Sequence, residues 1–263
     1  MSSNNLHDYW ESRLNETFSL EGVGYLGLGK QYNTWLYRVR RRVFLGVMRQ
    51  VGADYPRSRV LDVGSGTGFY VALWQTLGVK DLVGLDITHT ARQQLASRFP
   101  DYRFFTLDIG APIDWPAGSF DLASAFDVLF HIVDDTAYAQ AIANLAMLLK
   151  PGGWLIFSEN FLHGQPRSAS HQVSRTLRQI ERLLADAGFE VVMRTPFLYL
   201  MNAPVDSASR LRTLLWRAIR FIASRGELPG WLIGAVLYPI EVLLVSLCAE
   251  SPTTEIMVCR RRS

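Results

Sequence analysis

A glycine-rich loop directly after an apolar segment is the part of this sequence with the most chemical content. The run VLDVGSGTGFY, residues 60–70, places Gly64, Gly66 and Gly68 between a strand-like segment and a helix-like one. Glycine permits a tight turn and a close approach of the backbone to a ligand, and the N-terminus of the following helix favours polar ligand groups. The loop therefore predicts a site for a nucleotide-like ligand.

Two details indicate that this ligand carries no phosphate. The dinucleotide fingerprint G-x-G-x-x-G would need a glycine at position 69, where this chain has Phe69. Asp62 precedes the loop, and its carboxylate would repel a pyrophosphate but could hold water or an ammonium group. NAD is thus disfavoured, and we predict that Asp62 and the loop from Gly64 through Ser65 to Gly68 bind a phosphate-free cofactor.

Two more carboxylates follow at the ends of the next predicted strands. Asp86 ends LVGLD about twenty residues after the loop, a position from which a carboxylate reaches ribose hydroxyls. Ile87 could lie on an adenine face, and Asp108 could accept a hydrogen bond from an exocyclic amine. For Asp108, a helix N-cap or a solvated carboxylate is the alternative. Three carboxylates at three strand ends are expected to meet in one crevice.

A candidate general base follows the fourth predicted strand. The segment FDLASAFDVLFHIVDD brings Phe126, Asp127 and His131 to the carboxyl edge of the sheet, where ligands of open α/β folds bind. His131 is the first candidate because histidine titrates near neutral pH, and Asp127 is the second. A base is needed only if the acceptor loses a proton, and His131 could instead only pack or position the substrate.

The elements that must position these residues alternate in type. Short β-branched runs and helical segments follow one another from Arg59, with the strands RVLDV, LVGLD, RFFTL, FDLASAF and WLIFSE. This alternation predicts a doubly wound parallel sheet covered on both faces. An amphipathic helix starting at Val173 and including Leu177 and Ile180, a strand FEVVMRTPFLYL and a last strand from Thr254 to Arg260 complete the pattern.

Taken together, residues 58–160 resemble the class I S-adenosylmethionine-dependent methyltransferases. VLDVGSGTG resembles motif I of that family, LVGLDIT its next acidic segment, TLDI its adenine-binding segment and LKPGGWLIFSE its turn into strand five. The resemblance implies a Rossmann-like sheet of seven strands with the seventh antiparallel. It also implies the cofactor S-adenosylmethionine. It further implies that the three glycines line the methionine moiety and that Asp86 binds the ribose. Asp108 and Ile109 would face the adenine, and the Phe126–His131 stretch would face the transferred methyl group.

Residues 1–55 are predicted to form an N-terminal helical cap. Apolar and aromatic residues recur there at helical spacing. The resemblance implies that such helices close over the site, where Tyr32, Trp35 and Tyr37 could face the sulfonium or the substrate. Core packing explains these three aromatics equally well.

An apolar insertion, residues 203–252, divides the predicted α/β domain into residues 56–202 and 253–263. Arg210, Arg212, Arg217 and Arg220 mark a basic amphipathic helix. The stretch 231–249 is long enough to cross a bilayer, but Gly234, Pro239 and Glu241 interrupt it. A buried cap over an apolar acceptor and a peripheral membrane contact through residues 210–249 are the remaining interpretations.

Composition narrows the possible partners. A formal charge of +3 without a long basic run gives no support for nucleic-acid binding, and the two cysteines lack metal-site spacing. No apolar leader opens the sequence, so we expect a cytoplasmic protein, with membrane association open. The predicted function is methyl transfer to a small apolar or amphipathic acceptor. The alternatives are other chemistry on the same fold and a catalytically silent cofactor-binding regulator. Metal is not expected, and the oligomeric state is left open.

Overall fold

The computed structural model describes residues 3–169 and 171–263. The helices are α1 Ser3–Glu16, α2 Gly29–Val51, α3 Phe69–Thr76, α4 His89–Arg98, α5 Asp135–Leu148, α6 Leu177–Asp186, α7 Arg210–Ala223 and α8 Glu227–Leu247. The strands are β1 Arg59–Val63, β2 Asp81–Asp86, β3 Arg103–Thr106, β4 Phe120–Ala125, β5 Leu149–Glu159, β6 Arg167–Ala169, β7 Gln172–Ser174, β8 Phe189–Pro196 and β9 Glu255–Arg261.

Seven of these strands form one sheet in the order β3-β2-β1-β4-β5-β9-β8. The pairs β1–β2, β1–β4, β2–β3 and β4–β5 are parallel. The last strand runs antiparallel to β8, because the Phe197 N–H donates to the Thr254 carbonyl and the Arg262 N–H donates to the Gly188 carbonyl. The doubly wound seven-stranded fold with an antiparallel final strand is therefore confirmed.

The central strands are apolar on both faces because helices cover both. Strand β1 reads RVLDV with four buried residues, and β2 and β4 are almost wholly buried. Leu61, Val83, Ala123 and Leu155 share one core with Tyr138 of α5. Burial of these side chains supplies the main driving force for the domain, at about 25 cal/mol per Å² of apolar surface.

Three predicted boundaries differ from the observed ones. The helix predicted from Val173 begins at Leu177, because the Thr176 hydroxyl accepts from the Gln179 N–H and the Gln179 side chain accepts from the Thr176 N–H. Residues 172–174 instead form β7, which pairs antiparallel with β6. Strand β8 ends at Pro196 rather than at residue 200, and β3 ends at Thr106, before Asp108.

The chain forms two compact units. The first contains the helix α1 up to Asn15, residues 53–194 and residues 256–263, and the second contains residues 16–52 and 195–255. The predicted cap of residues 1–55 is therefore divided, with α1 in the sheet unit and α2 in the other. The predicted insertion, residues 203–252, lies in the second unit together with α2.

Within the second unit, α2 packs along α8. Gly234 allows this close approach, because a Cβ there would collide with the Trp35 ring. Tyr32 is fully buried and donates its hydroxyl hydrogen to the Met201 carbonyl at 2.9 Å. Among the described residues, α8 is the helix long and apolar enough to cross a membrane, a property that core helices of soluble proteins share.

Candidate active site

The glycine loop turns sharply from β1 into α3. Gly64, Gly66 and Gly68 have φ values of +69°, +49° and +79°, which favour glycine. The Gly64 and Ser65 N–H groups both donate to the Leu85 carbonyl, at 2.7 and 3.0 Å. A Cβ on Gly64 would collide with the Val128 side chain. Backbone conformation and space together therefore require glycine at position 64.

Asp86 fixes this loop from the end of β2. Its Oδ2 accepts from the Gly66 N–H at 2.8 Å, and its Oδ1 accepts from the Thr88 N–H at 2.9 Å and the Thr88 hydroxyl at 2.7 Å. Burial raises the pKa of Asp86, and these three hydrogen bonds lower it in part. Within the described residues Oδ2 accepts one hydrogen bond, so a second lone pair is open to a ligand hydroxyl.

Asp62 lies deeper than the sequence suggests. Its side chain is 2% exposed, and Oδ1 accepts from the Ser124 hydroxyl at 2.6 Å. The Trp74 indole N–H donates to the same Ser124 oxygen at 3.1 Å. Burial raises the pKa of the Asp62 carboxyl to about 6. Asp62 therefore belongs to a hydrogen-bonded network within the sheet, and its contact with a cofactor stays a prediction.

The remaining predicted cofactor residues line the ends of β2, β3 and β4. The Asp108 carboxylate accepts from the Gly110 N–H at 2.8 Å and so holds a turn after β3. Ile109 is buried, whereas Ile87 is half-buried. The Phe126 ring stacks on Tyr70 with centroids 4.3 Å apart and an interplanar angle of 20°. Direct contact of these side chains with adenine or the methyl group stays a prediction.

Asp127 and Glu159 place two carboxyl groups at the ends of β4 and β5. Asp127 has a φ of +58°, and its N–H donates to the Ser158 hydroxyl at 2.7 Å. Glu159 is fully buried and accepts from the Tyr138 hydroxyl at 3.2 Å and the Asn160 N–H at 3.1 Å. Burial raises the pKa of Glu159 to about 8. Its carboxyl is therefore poised to titrate near neutral pH.

The Arg175 guanidinium is buried beside this carboxyl group. It lies 3.9 Å from the Tyr138 ring centroid and donates to the Asp135 carboxylate and the Ile132 carbonyl. The positive charge lowers the pKa of Glu159 in part. Sequence reasoning missed both residues, although Glu159 is the last residue of β5, just as Asp86 is the last residue of β2.

His131 is held as a neutral imidazole in one tautomer. Its Nδ1 lies 2.8 Å from the His171 carbonyl oxygen. Because a carbonyl oxygen only accepts, Nδ1 carries the hydrogen and Nε2 carries the lone pair. Burial lowers the pKa of His131 to about 4, and the nearby Arg13 charge acts in the same direction. At physiological pH Nε2 is therefore unprotonated and can accept a proton, but the near-neutral titration for which the sequence favoured His131 is wrong for this buried ring.

Aromatic rings surround His131. The Trp10 ring meets it edge-on at 4.9 Å between centroids, the Phe130 ring is at 4.6 Å, and the His171 ring stacks on it at 5.7 Å. The Tyr9 ring also stacks on the His171 ring, with centroids 5.2 Å apart. We call Tyr9, Trp10, Phe130, His131 and His171 the aromatic cluster. It forms a largely apolar wall at the carboxyl edge of β4.

The aromatic residues brought to His131 are not the ones the sequence favoured. Tyr9 and Trp10 belong to α1, whereas Tyr32, Trp35 and Tyr37 lie in α2 of the second unit. There Tyr37 is buried beneath the Arg40 guanidinium, and Trp35 contacts Tyr238 at 5.3 Å. A role of these three residues toward substrate stays a prediction.

Helix α1 also reaches the cofactor side of the site. The Glu11 carboxylate accepts from the His89 N–H at 2.7 Å, the Thr90 N–H at 3.1 Å and the Thr90 hydroxyl at 2.6 Å. These contacts cap the N-terminus of α4 from outside. Partial burial alone would raise the pKa of Glu11, but the hydrogen bonds lower it overall. One helix thus contacts both the turn after Asp86 and the aromatic cluster.

Comparisons with known proteins point to one family. A family model described as a methyltransferase domain matches residues 35–194. A ubiquinone biosynthesis O-methyltransferase of Albidiferax ferrireducens is 30% identical over 115 residues, which are 42% of this chain and 43% of that protein. The chain spans about half the length of the curated relatives it matches.

Solved structures share the fold along nearly the whole chain. A magnesium protoporphyrin IX methyltransferase of Synechocystis aligns with a TM-score of 0.59 and 14% identity, covering 99% of both chains. An N-methyltransferase, NodS, of Bradyrhizobium japonicum aligns with a TM-score of 0.58 and 15% identity, covering 98% of this chain and 100% of that one. At these identities the likeness shows the fold alone.

The site has the chemistry that the cofactor of this family requires. The loop of residues 62–68 carries no basic side chain, so it suits a ligand without phosphates. Asp86 offers an oxygen to a diol, and Gly64 lets the loop pass close to Val128, where a Cβ would collide. The family model covers more than half of the chain. The chain belongs to the class I methyltransferases, whose cofactor is S-adenosylmethionine.

Proposed function

We propose that this protein methylates a hydroxyl oxygen of a small lipophilic acceptor, with His131 as the general base. The observation that carries the proposal is the neutral imidazole, whose Nε2 lone pair is set by the hydrogen bond from Nδ1 to the His171 carbonyl. The curated relatives named for O-methylation in ubiquinone biosynthesis support a hydroxyl acceptor.

A base is useful because a hydroxyl is a poor nucleophile while it keeps its proton. A phenol-like hydroxyl has a pKa of about 10 and is protonated at neutral pH. In the proposed step the acceptor oxygen forms a bond to the methyl carbon, and the hydroxyl proton passes to Nε2 of His131. When bound, S-adenosylmethionine supplies an electrophilic methyl group and leaves as a neutral thioether. Burial of His131 disfavours the imidazolium, which makes Nε2 a weaker base than a free imidazole and lets the proton pass on readily to solvent.

The surroundings of His131 favour an apolar or aromatic acceptor. The Trp10 and Phe130 rings lie within 5 Å of the imidazole, and ring faces of this kind bind flat apolar groups. Exclusion of water and alignment of the reacting atoms supply much of the acceleration of an in-line displacement. We therefore propose a substrate with an aromatic hydroxyl and a hydrophobic remainder.

Transfer of a labelled methyl group tests the proposal. The protein is incubated with methyl-labelled S-adenosylmethionine and matched phenols, catechols and anilines, each with and without an isoprenoid tail. Label is expected in an aryl ether of a tailed hydroxyl compound. Transfer to the amine alone would contradict O-methylation. Cofactor binding without transfer to any compound would favour a catalytically silent cofactor-binding regulator or other chemistry on the same fold.

A pair of histidine variants tests the base. His131→Gln should lower kcat by about 10² to 10³, the usual contribution of a general base, and leave the affinity for S-adenosylhomocysteine within twofold. His89→Gln is the control, because His89 is exposed and lies outside the aromatic cluster. Full turnover of His131→Gln with saturating acceptor would remove His131 from this role.

A further inference from the structure

Helix α8 exposes an apolar stripe along its whole length. Leu228, Leu232, Val236, Ile240, Leu243 and Leu247 recur every three or four residues, and each is between 44% and 74% exposed. This spacing places them on one face of the helix, which at 21 residues is about 30 Å long. The opposite face, with Gly230, Gly234 and Glu241, is buried in the second unit. Soluble proteins rarely leave so long a stripe uncovered.

The two carboxylates of α8 are both turned away from this stripe. Glu227 accepts from the Lys30 and Gln31 N–H groups, at 3.0 and 2.8 Å, and so caps α2. Glu241 is fully buried and accepts from the N–H groups of residues 199–201 at 2.6 to 3.3 Å. The carboxylate that interrupts the apolar run in the sequence therefore does not reach the exposed surface of the helix. The stripe itself carries no charged residue.

Helix α7 adds a second exposed apolar face with positive charge beside it. Leu211, Leu214 and Phe221 are 75%, 63% and 59% exposed. Because successive residues of an α-helix are about 100° apart around its axis, Arg210 and Arg217 lie at the side of this apolar face. Helix α7 contains four arginines and no acidic residue. It packs against α8 within the same unit.

An exposed tryptophan of α8 lies close to an exposed cation of α2. Trp231 of α8 is 43% exposed, and its ring lies 6.0 Å from that of Trp35. The exposed Arg38 guanidinium sits 4.2 Å above the Trp35 ring. Tryptophan and arginine side chains of this kind are typical of the level of lipid headgroups.

We propose that α7 and α8 bind the surface of an anionic phospholipid bilayer, with α8 lying in the plane of the interface. The charges decide between a membrane and a second copy of the chain. A symmetric contact between two copies would bring the arginine-flanked faces together, and like charges disfavour it. Anionic headgroups are complementary to Arg38, Arg210 and Arg217, and the apolar stripe enters the acyl boundary. Because the buried Glu241 is bonded to the protein, α8 lies on the bilayer rather than crossing it.

Vesicle flotation of the full chain tests this surface. Wild-type protein should float with phosphatidylcholine vesicles that contain one-third phosphatidylglycerol and bind pure phosphatidylcholine more weakly. The double variant Val236→Glu, Leu243→Glu should lose roughly tenfold or more of this binding. The double variant Arg210→Gln, Arg217→Gln should lose the preference for anionic vesicles and its salt dependence. Val192→Glu is the control, because Val192 is 51% exposed on β8 of the sheet unit.

A second readout covers the case in which the glutamate variant fails to fold. Vesicles with brominated lipids should quench tryptophan fluorescence in the wild type, and Trp231→Phe should remove most of that quenching. No flotation of the wild type, or flotation of Val236→Glu, Leu243→Glu at the wild-type level, would overturn the proposal. A dimer that this variant dissociates, without vesicle binding, would show an interface between copies instead. Vesicle binding requires no acceptor, so its failure is separate from failure of the proposed O-methylation.

Discussion

The proposed cofactor side and the proposed acceptor side of the site are built in different ways. The cofactor side comes from two consecutive strand-to-helix turns, with the glycine loop after β1 and Asp86 after β2 joined by the bond from the Gly66 N–H. The acceptor side gathers His131 from the turn after β4, His171 from the β6–β7 hairpin and Trp10 from α1. The first depends on local backbone geometry, and the second depends on contacts between residues far apart in sequence.

The electrostatics of the two sides differ in the same way. Buried carboxyl groups, Asp62 and Asp86, accept hydrogen bonds from loop and strand residues on the cofactor side. On the acceptor side a neutral imidazole lies among aromatic rings. A cationic cofactor suits the first environment and an apolar acceptor suits the second. The two sides should therefore respond separately to mutation.

The largest effect is expected for a substitution that disrupts the cofactor side alone. Gly64→Ala should lower the affinity for S-adenosylhomocysteine more than about a hundredfold, because its Cβ would collide with Val128 at a φ of +69°. Calorimetry measures this loss. Gly118→Ala is the matched control, since Gly118 has a φ of +63° but open space around its Cβ position. An equal loss of affinity in both variants would show that general destabilisation is responsible.

Trp10→Ala should break the acceptor side. Removing this ring from beside His131 should lower kcat/KM for the acceptor by about thirtyfold, in line with the loss of a large aromatic contact. The affinity for S-adenosylhomocysteine should stay within twofold. Trp10→Phe should restore most of the activity because it keeps a ring. If Trp10→Ala weakened cofactor binding as much as turnover, the separation of the two sides would be wrong.

His131 should give the acceptor side a characteristic dependence on pH. Burial lowers its pKa from 6.5 to about 4, so the folded state binds this proton less readily than the unfolded state does. The folded protein should therefore lose about 3 kcal/mol of stability as the pH falls from 6.5 to 4, and well above 6.5 this loss is absent. Denaturant unfolding at several pH values measures it.

The same group also limits the pH range of activity. The acidic limb of kcat/KM should lie near pH 4 rather than near 6.5, provided the fold persists. His131→Gln should flatten the stability profile between these values. An acidic limb at pH 6.5 that the variant retains would exclude His131 as its origin.

The smallest effect is expected at the helix that contacts both sides. Glu11→Gln keeps the shape of the side chain but removes the charge at the N-terminus of α4, which is worth about 0.5 kcal/mol. Cofactor affinity and acceptor KM should each change by less than about threefold. Hydrogen exchange of the α1 amides should become faster, and the difference from wild type should vanish as acid neutralises Glu11.

Asp8→Asn on the same helix is the control for Glu11, because Asp8 is exposed and its carboxylate contacts the neighbouring His7. Faster exchange in both variants would show that any loss of charge frees α1. Faster exchange in Glu11→Gln alone would confirm that the contact with α4 holds the helix in place.

Sequence reasoning predicted the features that follow from short stretches of chain. The glycine loop and Asp86 were predicted because an apolar strand followed by a turn is recognisable in a short stretch of sequence. Val173 misled the helix prediction because it fits the apolar helical period, whereas the capping box at Thr176 decides where α6 begins. Trp10 was not chosen from the sequence, because its contact with His131 joins segments that are distant in sequence. Glu159 was missed although it ends a buried strand, as Asp86 does. Burial and tertiary contact, not residue type, give these groups their chemistry.

The position of β9 in the sheet has a consequence for how the chain is made. Strand β9 lies between β5 and β8, so β8 can join the sheet only after residues 197–261 have been synthesised. In that interval the nascent chain carries two unpaired strand edges, the exposed Val191 and Val192 of β8, and the apolar helices α7 and α8. Such a chain is slow to close and prone to aggregate. We expect its yield on expression to depend on chaperone capacity and on a low rate of synthesis.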